Sequence, residues 1–432
     1  MKAVTQRITK TGGREATTRH IPPKLALAVG MPLIPPPKGW RWASLTDIAR
    51  LESGHTPSRR HPEWWGGSIP WIGIKDARAN DGACIDDTQE KTNERGIEHS
   101  AARVLPANTV CLSRTASVGY VVVMGRPMAT SQDFVNWVCS DHLDHNFLKY
   151  IFIAEGDELL RFASGSVHQT IYFPEVKAFH VCLPQLPEQQ RIVGILDEAF
   201  DGIATAKVNA EKNLQNARAL FESHLQSAFT QQSGGWQHIR LGEMVERLTN
   251  GYVGPTRNIY CETGIPYLLA RHVKRNRLNF DGRTFISQAF NLKARKSILK
   301  TGDVLLVQSG HIGHSAVVPP EHEGHNCHAM IVITPVANRL DGKFLSWFFG
   351  SPNMQRHFES MRTGSTLKHL NCRDVIELQV PAPSLTTQHR IVAKFESLTT
   401  ETQRLESIYQ QKLAALEALK KSLLHQAFTG EL

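Results

Sequence analysis

The chain is written twice. Gly39-Trp40 returns as Gly235-Trp236, and Leu45 returns as Leu241. Ile69-Pro70-Trp71 returns as Ile265-Pro266-Tyr267, and Val110, Val118 and Gly119 return as Val304, Ile312 and Gly313. Phe147-Leu148, Gly165-Ser166, Arg191-Ile192-Val193 and Ala228-Phe229-Thr230 come back in the same order as Phe344-Leu345, Gly364-Ser365, Arg390-Ile391-Val392 and Ala427-Phe428-Thr429. The offset drifts only between 194 and 199 residues. A period that long exceeds the units of solenoid repeats, so it marks a duplicated domain.

Each copy has two parts. The first is about 145 residues of short mixed elements. Val121 to Val123, Phe134 to Val138, Val304 to Val307 and Met330 to Ile333 read as strands bounded by turn residues. Phe147 to Phe162 and Phe344 to Met361 read as helical. The second part is a long helix. In the second copy a seam runs through 391, 395, 398, 402, 405, 409, 416, 419 and 423, broken at Lys412 with Leu413 beside the gap. In the first copy it runs through Ile192, Leu196, Ala199, Ile203, Ala206, Ala210, Leu214, Ala217, Phe221 and Leu225. This 3.5-residue period predicts a coiled coil. Its alanines permit close approach, and Gly194 and Gly202 weaken the start.

A helix of about 43 residues spans roughly 65 Å. Two such helices in one chain predict an intramolecular antiparallel pair holding two globular parts apart. The expected fold class is therefore α+β: two mixed α/β domains in tandem repeat, separated by two long helices forming an antiparallel coiled coil. The expected boundaries are a tail at 1–38, a first domain at 39–186, a central helix at 187–234, a second domain at 235–383 and a C-terminal helix at 384–432.

Residues 1–38 carry seven Lys/Arg against Glu15, with Pro22-Pro23, Pro32 and Pro35-Pro36-Pro37. This composition predicts a disordered basic linker. It also supplies most of the net charge of +9, so the global balance says little about nucleic acid. Local balance says more. Arg257 to Lys300 holds ten Lys/Arg and two acids, whereas Arg50 to Arg114 holds nine of each sign. A basic patch of that kind permits DNA contact. The seven scattered cysteines form no CxxC pair and fit a reduced, cytoplasmic setting. No apolar run is long enough for a transmembrane helix, and the first residues do not read as a secretory signal.

The helix starts carry the most specific text. Leu183-Pro184-Gln185-Leu186-Pro187-Glu188-Gln189-Gln190-Arg191-Ile192-Val193 resembles the conserved-region signature of specificity subunits of Type I restriction–modification enzymes. Pro381-Ala382-Pro383 followed by Gln388-His389-Arg390-Ile391-Val392 is a looser second copy, departing at Ser384 to Thr387. Ala427-Phe428-Thr429-Gly430-Glu431-Leu432 resembles the end of those subunits, and the resemblance covers residues 39–432. It implies two target recognition domains, each reading one half of a bipartite double-stranded DNA sequence, with the helices as spacer. It also implies a chain without an active site or cofactor of its own. Such a chain docks two methyltransferase subunits and, in the restriction complex, motor-nuclease subunits. The complex then uses S-adenosylmethionine, ATP and Mg2+. Because the two halves differ in sequence, the expected target is asymmetric.

Competing chemistries are poorly supported. There is no Asn/Asp-Pro-Pro-aromatic motif of a methyltransferase and no phosphate loop of a motor. Asp157 with Glu175-Val176-Lys177 has the form of a nuclease motif, a pattern short enough to arise by chance. His311, His314, His322, His325, Cys327 and His328 offer zinc-type ligands in no usual spacing, so a polar loop or DNA-facing histidines are the other readings and no metal is expected. The alternative to DNA recognition is a non-enzymatic scaffold with duplicated ligand-binding domains on the coiled coil.

Candidate DNA-contacting residues follow from side-chain type and place in the repeat. They are Arg59, Arg60, Lys75, Arg78, Arg114 and Gln169 in the first copy, and Arg257, Arg271, His272, Lys274, Gln308 and Lys368 in the second. Gly165 to Gln169 and Gly364 to Lys368 are matching loops.

Overall fold

A computed structural model describes residues 6–11, 14–18, 26–27, 36–165, 169–230, 235–361 and 369–432. The chain divides into two compact units, 1–209 with 412–432, and 210–411.

In the first unit the main sheet runs in the order Ala49–Ser53, Phe134–Cys139, Val110–Ser113, Val121–Met124, Cys84–Ile85. In the second unit the order is Val245–Asn250, Met330–Pro335, Val304–Val307, Ser315–Val317. The first four strands correspond one to one. Val110 pairs with Trp137, and its repeat counterpart Val304 pairs with Ile333.

The expected strands are all present, and their continuous apolar runs have a cause. Both faces of each sheet are buried, so no polar alternation is needed. In the first unit Val110, Leu112, Val121, Val123, Val135 and Trp137 face one core, shared with the helix His145–Glu155. Cys111, Val122, Met124 and Phe134 face a second core on the other side. The second unit splits in the same way, with Val304, Leu306, Ile331 and Ile333 on one face and Leu305, Val307, Met330 and Val332 on the other. A smaller sheet closes that second side. Its central strands, Trp65–Ile72 and Ile265–Leu268, contain the repeated Ile-Pro-aromatic anchors.

The anchor glycines turn the chain between matching strands. Gly119 has φ +109 and donates its N–H to Ser113 O, while Gly313 has φ +85 and donates to Val307 O. A Cβ on Gly313 would lie 2.8 Å from Phe358 Cδ2, so only glycine fits without displacement.

The two long helices are Leu186–Thr230 and Leu385–Thr429. Within the first unit they run antiparallel. Arg191 Nη2 donates to Leu432 O at 2.7 Å, and further along Lys207 Nζ meets Glu417 Oε1 at 3.0 Å. Within the second unit Arg218 Nε meets Glu406 Oε1 at 2.6 Å, and Phe229 stacks on Phe395 with centroids 6.0 Å apart. The seam expected for the first helix is the one buried or half-buried, and Gly194 and Gly202 lie exposed within an unbroken helix. The second helix departs after 409. Its covered positions continue at Leu413, Leu416, Lys420, Leu423 and Leu424, while Leu419 is 47% exposed. The step at Lys412 is thus no break. Leu413 takes the seam, and one four-residue step in place of three absorbs the drift between 3.6 and 3.5.

Two further regions add detail. Helix Leu186–Thr230 is followed by residues 231–234, which lie outside the described residues, and Ser384, where the second helix departs from the first, supplies a side-chain acceptor. Its Oγ takes the Thr387 N–H at 3.4 Å, whereas in the first copy the corresponding Glu188 N–H goes to the backbone Gln185 O at 3.0 Å. The tail is not wholly irregular. Gln6–Thr11 and Arg14–Thr18 form an antiparallel pair, and Ala26–Leu27 adds parallel to His180–Leu183.

Candidate nucleic-acid interface

In the first unit Arg59 precedes the short turn Pro62–Trp64 and reaches across to strand Glu90–Thr92. Its guanidinium makes a two-pronged contact with Glu90, Nη1 to Oε1 at 2.6 Å and Nη2 to Oε2 at 2.8 Å. The same group lies 3.7 Å over the Trp65 ring, which packs edge-on against Trp71. Planar Arg is suited to such combined stacking and bidentate contact, and Lys is not. The Arg59 contact, with the Lys75 charge adding to it, holds the Glu90 carboxyl below its usual range. Arg60 and Lys75 are exposed beside this group. Arg78 is exposed and donates from Nε to Tyr120 Oη at 3.2 Å.

Arg114 sits differently. It is part-buried, donates to Ile171 O at 3.4 Å and lies 4.9 Å from the Phe173 ring centroid. Burial lowers its pKa from the usual arginine value. Gln169 is exposed next to Thr170, whose hydroxyl bonds that of Thr115.

In the second unit the basic run forms a surface recess of about 570 Å³. The hairpin Val273–Lys274 and Arg277–Leu278 builds one wall, turned by Asn276 at φ +56. Arg271, Lys274, Arg275 and Arg277 line it, together with His311, His314 and Gln403 of the C-terminal helix. Of the ten cations from Arg257 to Lys300, Arg271 and Arg275 alone make ion pairs among the described residues. Arg271 pairs with Asp281 at 3.0 Å, and Arg275 pairs with Glu222 of the central helix at 3.3 Å. Asp281 is held down at about 2, mainly by Arg271.

Two candidates of the second copy are buried. His272 is 2% exposed; its Nδ1 accepts the Leu269 N–H and its Nε2 stands 3.0 Å from Asp281 Oδ1. Gln308 is buried, and its carbonyl accepts the Leu370 N–H. Both support the surface from below. Arg257 is exposed without an ion pair among the described residues. Lys368 and the rest of its loop from 364, like residues 166–168 of the matching loop, lie outside the described residues.

The histidine run divides into pairs. His311 stacks on His314, His322 Nδ1 meets His325 Nδ1 at 3.0 Å, and His328 Nδ1 lies 3.4 Å from the Tyr267 hydroxyl. Burial lowers the pKa of His314, His322, His325 and His328, and raises buried Cys327 to about 12. Among the described residues no three His, Cys, Asp or Glu side chains converge as a metal site. The decoy triplet Glu175-Val176-Lys177 lies in the short helix Phe173–Lys177.

Sequence reasoning missed Arg275 and Arg277 as individuals, although both stand in the ten-cation run. It also missed Trp65 and Glu90, whose only signal was their interleaving with Arg59 and Lys75.

Comparison with known proteins agrees with this layout. The family described as Type I restriction modification DNA specificity domain matches the chain twice, over residues 37–215 and 233–417. The Type I restriction enzyme MjaIX specificity subunit of Methanocaldococcus jannaschii is 24% identical over 419 residues, covering 92% of this chain and 94% of that one. The EcoR124I/EcoR124II specificity subunit of Escherichia coli is 28% identical over 172 residues, 38% of this chain and 42% of its own length. The HsdS subunit of Thermoanaerobacter tengcongensis superposes with a TM-score of 0.61 at 17% identity, covering 93% of this chain and 99% of that one. A chain solved in work on assembly and conformational transition of the type I R-M system gives a TM-score of 0.72 at 18% identity, covering 92% and 100%. At these identities the two structures speak for the fold alone.

Proposed function

The chain belongs to the Type I restriction–modification DNA specificity family, and we propose that its two units each read one half of a split, asymmetric DNA target. Its function is that of the specificity subunit, consistent with sequence-specific DNA recognition, and the scaffold alternative is not favoured. One observation carries the two-reader proposal. The same sheet order is built twice, while the polar surfaces laid on it differ. Identical surfaces would suit a symmetric site; different ones suit two unlike half-sites.

In the first unit Arg59, Arg60, Lys75, Arg78 and Gln169 are the proposed contacts. Arg59, held by Glu90 and stacked on Trp65, is the proposed base reader through the donors that Glu90 leaves, and the others are proposed for phosphate and loop contacts. In the second unit Arg257, Arg271 and Lys274 are joined by Arg275 and Arg277, with Lys368 kept as a candidate. Arg114, His272 and Gln308 position their neighbours. The helices set the separation of the readers, as in dimeric readers with fixed half-site spacing. Two methyltransferase subunits and motor-nuclease subunits are the proposed partners, and S-adenosylmethionine, ATP and Mg2+ belong to them. The proposed setting is the cytoplasm. Among the described residues no helix is long and apolar enough to cross a membrane.

The test is selection of duplexes from a random pool by the full chain with its co-purifying subunits. The expected result is two different short blocks flanking an unread gap of constant length, with binding that weakens steeply with salt. A single block, a palindrome, or no enrichment would overturn it.

A further inference from the structure

Each repeat contains a fully buried glutamine with the same three bonds. Gln189 and Gln388 are both 0% exposed. Gln189 Oε1 accepts the Asp144 N–H at 2.9 Å, and its Nε2 donates to His142 O and Pro184 O, both at 3.0 Å. Gln388 Oε1 accepts the Asp341 N–H at 2.8 Å, and its Nε2 donates to Arg339 O at 3.0 Å and Pro383 O at 2.9 Å. The partners correspond pair by pair. Each glutamine sits in the first turns of a long helix. Each partner aspartate caps a helix of the recognition domain, with Asp144 Oδ1 taking the Phe147 N–H and Asp341 Oδ1 taking the Phe344 N–H.

The arrangement is a clasp between the helix that sets spacing and the domain that reads. Apolar packing around it is extensive, with Ile192 and Leu196 in the first core and Val392 and Phe395 in the second. Apolar burial is non-directional, so it holds the helix against the domain without fixing its rotation. Three hydrogen bonds from one buried planar amide are directional, and they fix that rotation.

We propose that Gln189 and Gln388 are positioning residues that set the length of the unread DNA gap. They would do so by locking the angle between each long helix and its recognition domain. The inference rests on the two-reader function proposed above. Its physical basis is the pitch of DNA. One added base pair moves the far half-site by about 3.4 Å and rotates it by about 35°. A site tolerates roughly 10–20° of misorientation, so gap selectivity needs domain angles held within that range.

The experiment measures, in the full chain with its co-purifying subunits, the affinity for the selected target against targets with one base pair added to or removed from the gap. The native protein is expected to prefer its own gap by at least about tenfold, the scale of a single mismatched pair. Gln189→Met and Gln388→Met, of matching size but without the bonds, should each lower that preference to about threefold or less, with the half-site sequences unchanged. Gln189→Asn and Gln388→Asn keep the amide one methylene short and serve where the Met variants do not fold. Val193→Ala, in the same helix turn as Gln189, is the control. It removes packing without touching the clasp, and the gap preference should stay tenfold. A full preference retained in folded clasp variants overturns the inference. An equal loss in Val193→Ala does the same, since the effect is then general loosening. A native protein indifferent to gap length would instead overturn the two-reader function.

Discussion

The two units share a scaffold and differ in how they treat their charge. In the first, acids and bases balance from Arg50 to Arg114, and Arg59 is answered by Glu90 and Arg50 and Arg103 both by Glu52, although Arg60, Lys75 and Arg78 have no ion pair among the described residues. In the second, Lys274 and Arg277 stand beside Arg275 with no ion pair of their own among the described residues. The buried faces carry the repeat anchors, and the exposed faces carry the differences. Fold and polar surface therefore vary independently between the two units. One surface is pre-organised around a stacked arginine, and the other is a diffuse cationic wall. These are the forms expected of base reading and of backbone attraction respectively.

If the scaffolds are equivalent, matching core deletions should cost matching amounts. Phe428 packs edge-on against Phe147 in the first unit, and Phe395 packs against Trp347 and Phe229 in the second. Phe428→Ala and Phe395→Ala are each expected to cost about 3–5 kcal/mol. Hydrogen exchange should place each loss in its own unit, and a loss confined to one unit in both variants would break the equivalence. The surfaces should then part company. Arg59→Ala is expected to cost about 1–3 kcal/mol of binding and to relax preference at one position of one half-site. Lys274→Ala with Arg277→Ala should weaken all sequences alike and lower the salt slope by about 2. A base-specific effect from the second pair, or a uniform one from Arg59, would reverse the assignment.

Acidity offers a smaller test. His272, His314, His322, His325 and His328 are all held below the ordinary histidine pKa, with burial the first cause. Their folded forms bind fewer protons than the unfolded chain once the pH drops below about 6.5. The stability they contribute is intact above that pH and is lost as the pH falls toward their folded values. Melting between pH 7.5 and 5.5 should therefore weaken the second unit. A second unit whose stability does not change over that range would show that the histidines titrate alike in both states.

Much of this was legible in the sequence, and the reasons are specific. Val110 and Val304 were readable because a strand buried on both faces admits little but apolar residues. The first helix seam was readable because Ile192 to Leu225 present an apolar residue every three or four positions without a gap. The second was misread after Lys412 because Leu413, Leu416, Leu419 and Leu423 offer two overlapping seams, and only packing selects between them. The surface was less readable. His272 and Arg271 are neighbours of similar chemistry, yet one is buried on Asp281 and the other exposed above it. Gln189 was visible within a motif, but its bonds reach His142 and Asp144, 45 or more residues away, and no local pattern encodes them.

The first unit is completed by residues 412–432, with Leu424, Ala427 and Phe428 built into its core. A ribosome delivers those residues only after the whole second unit has been made, at about 5–20 residues per second. For roughly 10–45 s the first domain waits with an open apolar face, and the second unit can finish before it. The segment that completes the core of the first unit is thus made only after the second unit. A lesion near residue 428 would act on the domain that was synthesised first.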